Sequence, residues 1–419
     1  MMSRRQIPST NPENSIHNFK KLFNVCRIAL RVSGIIGVDT IFSSSKQTIT
    51  DFKGIYYIVA ILPPILSTSC EVRSIIHFWH LDIYLALEIC TVILSSLVVL
   101  TQGFFMYLSR QELLNLIDQV SDLWNKHLMI NTEDHIVRKA RGAQTLTKIY
   151  AVMVILLGSS FTLRPFFSLL IQFITKNEND TYDLSQTAYP AMYPFATDTV
   201  NKYLICITIE LLLFVSVAAW WTGSDMVFLQ MAIHLSLQYQ ILKKDLMEIV
   251  SQGPSHQNDS LSTQRLDSIG QRHDRLLQLS RQLKQIFSPI LFCLMIVTGA
   301  NICICVISLQ KEILNNNTAG IIKCLVHTSL TMIQPAIYCK YANDLNESYF
   351  QAELVANAAF QCNWVNESQS FKKHLQLMIF SAHRGIAFKI WGFFSVNLNQ
   401  LTRIGSTAMS FFALVNSVS

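Results

Sequence analysis

Seven long apolar stretches divide the chain, near 54–70, 81–107, 149–174, 203–225, 286–309, 320–341 and 388–417. A helix of roughly 20 apolar residues crosses the ~30 Å hydrocarbon layer of a bilayer. The pattern therefore predicts an all-α membrane protein with seven transmembrane helices. Between the stretches, polar segments alternate in character. One side carries short loops, apart from 175–202, and the other carries longer segments with helical periodicity. The fourth stretch does not stop at its polar end: Leu235, Leu242, Leu246 and Ile249 continue its helical period. The run GPSHQNDSLS (253–262) interrupts it, as clusters of Gly, Pro and Ser do. The period then resumes at Ile269, Leu276, Leu279, Leu283 and Ile286, a coiled-coil-like stripe. A third amphipathic segment, SFKKHLQLMIF (370–380), places Phe371, Leu375 and Met378 on one face. These three helices predict a cytoplasmic helical anchor. Its stripes need covering by one another or by neighbouring subunits, and the expectation is a collar that also joins subunits. The organisation expected is one membrane domain over 1–419: an arm to 53, spans one to four over 54–225, an anchor segment 226–285, spans five and six over 286–341, a second anchor segment 342–386, and a last span 387–419.

Charge orients this pattern. Eight Lys or Arg precede residue 54, and the next three segments on the same side carry six, seven and five, so 26 of 33 lie on one side. Basic residues are retained in the cytoplasm during insertion. The N-terminus is thus expected inside and the C-terminus outside, the reverse of a G-protein-coupled receptor. Only 14% of residues are charged and 51% are apolar, against about 25% charged in soluble domains. The net charge of +6 is explained by this topology and by contact with anionic lipid, so nucleic acid is not an expected partner. The opening MMSRRQIPSTNPENS lacks the apolar core of a signal peptide, and the first span is expected to act as its own insertion signal. The ten cysteines lie mostly in or beside apolar stretches without metal-ligand spacing, so neither a disulfide framework nor a metal or other cofactor is expected. Two glycosylation sequons, at Asn179 and Asn316, fall in loops assigned to the outside; three more, at Asn258, Asn346 and Asn366, fall inside.

In the last stretch, Asn399, Arg403, Ser406, Ser410 and Ser417 recur on one helical face, with Leu414 between the last two. Such a stripe suits a wet pore wall with a hydrophobic gate. Taken alone, it suits somewhat better a helix packed among its neighbours through small and hydroxyl residues. A single helix cannot enclose a pore, so the first reading requires several subunits about an axis. No catalytic constellation or phosphate-binding glycine loop is present, and an enzyme is not expected. The outer halves of the spans instead combine aromatic and small polar residues, as a pocket for a small apolar ligand does. They are Tyr84 and Glu88 in the second; Ser159, Phe161, Thr162, Phe166 and Phe167 in the third; Tyr203 opening the fourth; and Thr328, Thr331 and Met332 in the sixth. Each of these is individually as compatible with helix packing. Glu88 and Arg164 stand out as charges within spans.

The run QPAIYC (334–339), then Asn343-Asp344-Leu345, Ser348, Ala356 and CNW (362–364), followed by SFKKHLQLMIFSAHR (370–384) and FKIWGFFSVNLNQLTRIGSTAMSFFALVNSV (388–418), closely resembles the C-terminal signature of insect odorant receptors. The signature covers roughly the last 85 residues, and the topology and segment lengths match throughout. The resemblance implies an odorant-gated, non-selective cation channel in the plasma membrane of olfactory sensory neurons. It implies a tetramer shared with coreceptor subunits, opened by a small volatile odorant, with a pore lined by the final helix. The family's gate follows an aromatic pair, here Phe411-Phe412, which puts it at Leu414 with Val415 next. The family's odorant pocket lies in the region of the outer residues named above. The short 253–262 segment, where the coreceptor has a long insertion, makes the chain resemble an odorant-specific tuning subunit. The run Ser410-Phe411-Phe412, with no later Gln-Phe, departs from the related gustatory receptors.

Overall fold

The computed structural model describes residues 19–35, 52–128, 134–175, 182–184, 187–188, 191–252, 259–361, 388–390 and 394–418, with Gln369, Lys372, Lys373 and Gln376 besides. Among the described residues, ten helices with defined bounds precede a short strand pair and a final helix. They are α1 (Phe19–Leu22), α2 (Asn24–Val32), α3 (Phe52–Phe78), α4 (Ile83–Leu108), α5 (Arg110–Leu128), α6 (Asp134–Thr162), α7 (Arg164–Thr175), α8 (Val200–Gln252), α9 (Asp259–Leu314) and α10 (Thr318–Gln361). Strands β1 (Lys389–Ile390) and β2 (Phe394–Ser395) pair antiparallel, and α11 (Leu398–Val418) ends the chain. Among the described residues, five helices are long and apolar enough to cross a membrane: α3, α4, α6, α8 and α9.

Two of the seven expected stretches are not single helices. The third is interrupted at Leu163, between α6 and α7. Pro165 accounts for the break, because it has no N–H for the helical ladder and its ring disfavours helix in the residue before it. The seventh does not begin as a helix at 388. Lys389 and Ile390 pair with Ser395 and Phe394, the Val396 amide bonds the Phe388 carbonyl at 2.7 Å, and Phe388, Ile390 and Val396 are buried. Helix starts only at Leu398, where the Asn397 side chain accepts the Gln400 amide at 2.8 Å as a cap.

The stripe expected in the cytoplasm packs against its own chain. Leu235, Leu242 and Leu246 of α8 and Ile269, Leu276, Leu279, Leu283 and Ile286 of α9 all lie in one buried cluster. Between these helices the Arg272 guanidinium donates to Asp245 at 2.7 Å and to Gln238 at 3.2 Å. His273 stacks on Tyr349 of α10 at 6.0 Å between ring centres. The stripe of α8 and α9 is thus covered within the chain, one of the two ways expected of it. The segment 370–380 lies outside the described residues apart from Lys372, Lys373 and Gln376, so Phe371, Leu375 and Met378 do too.

The N-terminal arm contributes more than charge. Phe19 meets the His234 ring edge-on, Trp124 of α5 does the same, and the Trp220 indole donates to the Ser33 carbonyl at 2.8 Å. In α5, Leu113, Leu116, Ile117, Val120 and Trp124 form the i, i+3, i+4, i+7 stripe of an amphipathic helix, and all are buried. None of the nine described cysteines is in a disulfide.

Candidate functional site

Among the described residues, three polar places of the bundle bear on function. The first lies where α4, α6, α8 and α10 meet. Asp225 of α8 is 2% exposed and accepts from four side chains. These are the Gln102 amide at 3.0 Å, the Gln334 amide at 3.0 Å, the Tyr338 hydroxyl at 2.8 Å and the Tyr150 hydroxyl. The Trp221 indole donates to Tyr150 at 3.0 Å, extending the network. A carboxylate away from water is tolerated only with such pairing. Asp225 therefore ties four helices together at one point. Pattern reading passed over it because it closes the fourth apolar stretch, where a lone acid reads as a boundary. The available signal was the presence of Gln102, Asp225 and Gln334 in or at the edge of apolar stretches, since polar groups there face protein partners.

The second place is the C-terminal end of α3 and the N-terminal end of α8. Glu71 and Glu210 are each 1% exposed. Glu210 accepts from the Ala188 amide at 3.0 Å and from the Tyr193 hydroxyl, and Glu71 accepts from Ser67 at 3.2 Å. The Met192 amide donates to Ser74 at 2.7 Å. The described part of the loop joining α7 to α8 is thereby fastened over the helix ends, with Tyr203 fully buried beside it.

The residues expected to hold a ligand fall in several surroundings. Tyr203 and Thr162 are buried, and the Thr162 hydroxyl bonds the Gly158 carbonyl at 2.9 Å. Ser159 is half-buried beside Gly158, at which a Cβ would run into the Phe214 ring, so α6 and α8 approach closely there. Tyr84 and Glu88 are exposed, and the Lys311 amino group sits 3.8 Å from the centre of the Tyr84 ring. Thr328 and Thr331 are half-buried and bond the carbonyls of Cys324 and His327 in their own helix, at 2.8 and 2.9 Å. Met332 packs with Ile302, Val306 and Ile404, toward α9 and α11. Phe161 sits on described helix, but its side chain lies outside the described part.

The third place is α11. Leu401 and Ile404 pack on the core formed by α9 and α10, while Asn399, Arg403, Ser406 and Ser410 are exposed. The Ser406 and Ser410 hydroxyls bond the carbonyls of Arg403 and Ser406, both at 3.0 Å. The polar stripe is thus the face this chain leaves uncovered. Leu414 and Val415 continue the same helix, with side chains outside the described part. Asn316 is exposed in the turn between α9 and α10 with φ 50°, a left-handed conformation asparagine tolerates; Asn179 lies outside the described residues.

A bundle in which five of the described helices are long and apolar enough to cross a membrane, tied by buried polar knots, is the architecture of a helical multi-pass membrane protein. The profile of the family 7tm Odorant receptor matches residues 82–409, and the chain belongs to this family of receptors. Among its relatives, Odorant receptor 82a of Drosophila melanogaster is 25% identical over 288 residues, covering 68% of this chain and 70% of the relative. Odorant receptor 24a of the same species is 22% identical over 362 residues, covering 84% and 88%. The fold is similar to that of the insect olfactory receptor OR5 from Machilis hrabei, with a TM-score of 0.71 and 15% identity, covering 96% of this chain and 98% of that one. The same receptor solved in complex with eugenol superposes with a TM-score of 0.72 at 16% identity, covering 96% and 99%.

Proposed function

We propose that this odorant receptor is a tuning subunit of an odorant-gated cation channel in the plasma membrane of olfactory sensory neurons. It crosses the membrane seven times with its N-terminus in the cytoplasm, and assembles with coreceptor subunits as a tetramer. One observation carries the channel reading: the polar face of α11 is exposed while its apolar face, at Leu401 and Ile404, packs on its own chain. Polar groups bare to hydrocarbon are costly, and a water-filled axis shared by several copies of α11 removes that cost. Leu414, with Val415 beside it, narrows the axis and closes it by dewetting. The odorant binds in the outer half of the bundle, among α4, α6, α8 and α10, with Tyr203 and Thr162 as its buried contacts and Tyr84, Glu88, Ser159, Phe161, Thr328, Thr331 and Met332 around them. That a Machilis hrabei relative of the same fold was solved with eugenol supports a small aromatic or aliphatic ligand for this chain. Binding favours the open state only through a higher affinity for it. Asn179 and Asn316 carry glycans on the outer face.

The test is electrical. The chain is expressed with and without coreceptor, and odorant mixtures are applied to excised patches. Rapid cation currents that need no soluble transducer are expected. Their absence under every coexpression condition, or their loss on excision, would contradict the channel reading and favour a metabotropic receptor.

A further inference from the structure

Large apolar side chains left bare form a belt around the bundle, and the belt has an edge on the side of the N-terminal arm. On α4 it runs to Leu108 and on α6 it begins at Leu146; no described side chain of α5, or of α6 before Leu146, belongs to it. Under the seven-span reading above, on which this inference rests, the belt marks the hydrocarbon layer and that edge its cytoplasmic side. Helix α2 lies across the edge. The arm climbs α8 antiparallel: Phe19 meets the His234 ring, a Cβ at Gly223 would lie 3.7 Å from the Ala29 Cβ, and the Ser33 carbonyl accepts from Trp220. From position 234 to 220 is a climb of about 21 Å at ~1.5 Å per residue. Gly223 lies just inside the end of the fourth apolar stretch at 225. Trp220 stacks on Tyr57 at 5.7 Å, and Tyr57 on Tyr107 at 3.8 Å, beside Leu108. The top of α2 is therefore level with the end of the belt on α4.

One face of α2, with Cys26 and Leu30, is buried. A second, with Ile28 and Val32, is 51% and 56% exposed and joins the belt. A third carries Arg27 and Arg31, one turn apart and half-buried. Their Nε atoms are shut from solvent without a partner. Arg27 donates through Nη2 to the neutral Asn24 side chain at 2.7 Å. Neither arginine forms an ion pair with a described residue. Helical side chains lean toward the N-terminus of their helix. In α2 that direction is cytoplasmic, so both guanidinium groups reach back from the edge of the belt into the headgroup layer. A guanidinium presents paired N–H groups that match a phosphate. A choline lipid brings its own cation to its phosphate, whereas an anionic lipid leaves a net charge for the protein to neutralise. We propose that Arg27 and Arg31 hold the phosphate of an anionic phospholipid of the cytoplasmic leaflet, with Ile28 and Val32 against the start of its acyl chains. The bound lipid then pins the N-terminal arm to the bilayer at the point where α2 packs on α8.

The test counts lipids retained by the full-length purified chain in native mass spectrometry. After delipidation, phosphatidylserine, phosphatidylglycerol and phosphatidylcholine are each added back. Both anionic lipids should be retained roughly tenfold more strongly than the choline lipid, the scale of two basic groups at a bilayer surface. Arg27→Gln with Arg31→Gln should abolish that preference. Arg138→Gln with Arg141→Gln, exposed on α6 before the belt begins, removes the same charge and should leave it intact. If the first pair elutes as aggregate, Arg31→Gln alone decides the matter, with a loss of roughly threefold in preference. Equal retention of the choline lipid, an equal loss in the α6 pair, or an unchanged preference in a well-folded α2 variant would overturn the proposal. So would full competition by soluble glycerophosphoserine, which lacks the acyl chains. An N-terminal epitope labelled from outside intact cells would overturn the seven-span orientation itself, a failure separate from these.

Discussion

Replacing Asp225 with alanine strips one acceptor from four donors at once. The Gln102 and Gln334 amides and the Tyr150 and Tyr338 hydroxyls then face a cavity in the middle of α4, α6, α8 and α10. Hydrogen bonds to a charged group contribute about 1.5–3 kcal/mol each. Their simple sum overstates the effect, because removing the carboxylate also removes its desolvation cost. Each buried donor left unsatisfied costs about 1–3 kcal/mol, so with some of the four re-pairing among themselves the expected loss for Asp225→Ala is about 3–5 kcal/mol. Asp225→Asn keeps the shape and one carbonyl acceptor, so it should cost less, on the order of 1–2 kcal/mol. The assay is a reversible detergent-denaturant titration of the purified chain, followed by tryptophan fluorescence. A double-mutant cycle with Tyr338→Phe should give a coupling of about 1–3 kcal/mol. If Asp225→Ala unfolds within about 0.5 kcal/mol of the parent, the size of an ordinary surface change, the four-helix tie does not stabilise the bundle and the argument fails.

Three further outcomes follow from the geometry. Gly103→Ala puts a methyl group into the buried Trp220 ring, and should destabilise the chain by about 1–3 kcal/mol in the same titration, as overpacking does; no change would mean that α4 and α8 do not meet there. Leu414→Ala should raise the current measured without odorant, and an unchanged closed state would remove Leu414 as the gate. Asn316→Gln should abolish a glycosidase-sensitive shift in gel mobility assigned to this turn, and a shift that persists unchanged in a variant also lacking Asn179 would put the glycan elsewhere.

Several features were readable in the amino-acid order because they repeat locally. The apolar runs at 54–70, 203–225, 286–309 and 320–341 each lie inside an observed helix, and that at 81–107 does so from Ile83 on. The stripe from Leu235 to Ile286 is buried as its period implies. The interruption at Leu163 was not expected within 149–174, although Pro165, two residues on, was its local signal. The β1–β2 pair was not legible, because its strands are as apolar as the span they adjoin and hydropathy alone cannot separate them. What buries the α8–α9 stripe was equally hidden. Periodicity says that a face is covered, not whether α10 or a second subunit covers it. The Asp225 knot draws on positions 102, 150, 225, 334 and 338, and only the packing of four helices brings them together. Likewise nothing local to Glu210 announces that Ala188 and Tyr193 will return to it. Of the candidate ligand residues, burial separates Tyr203 and Thr162 from Tyr84 and Glu88, a distinction that residue type alone could not make.

The central claim is that the uncovered face of α11 lines an odorant-opened pore. The most direct measurement is thiol modification during recording. Ser410→Cys and Ile404→Cys are each expressed with coreceptor, and a charged thiosulfonate is applied with and without odorant, the parent chain serving as control for its native cysteines. The account predicts that odorant exposes Cys at 410 to the reagent and that modification alters the evoked current, while Cys at 404, facing the core, stays silent. Modification at 404 but not 410, or no odorant-dependent effect at 410, would contradict it.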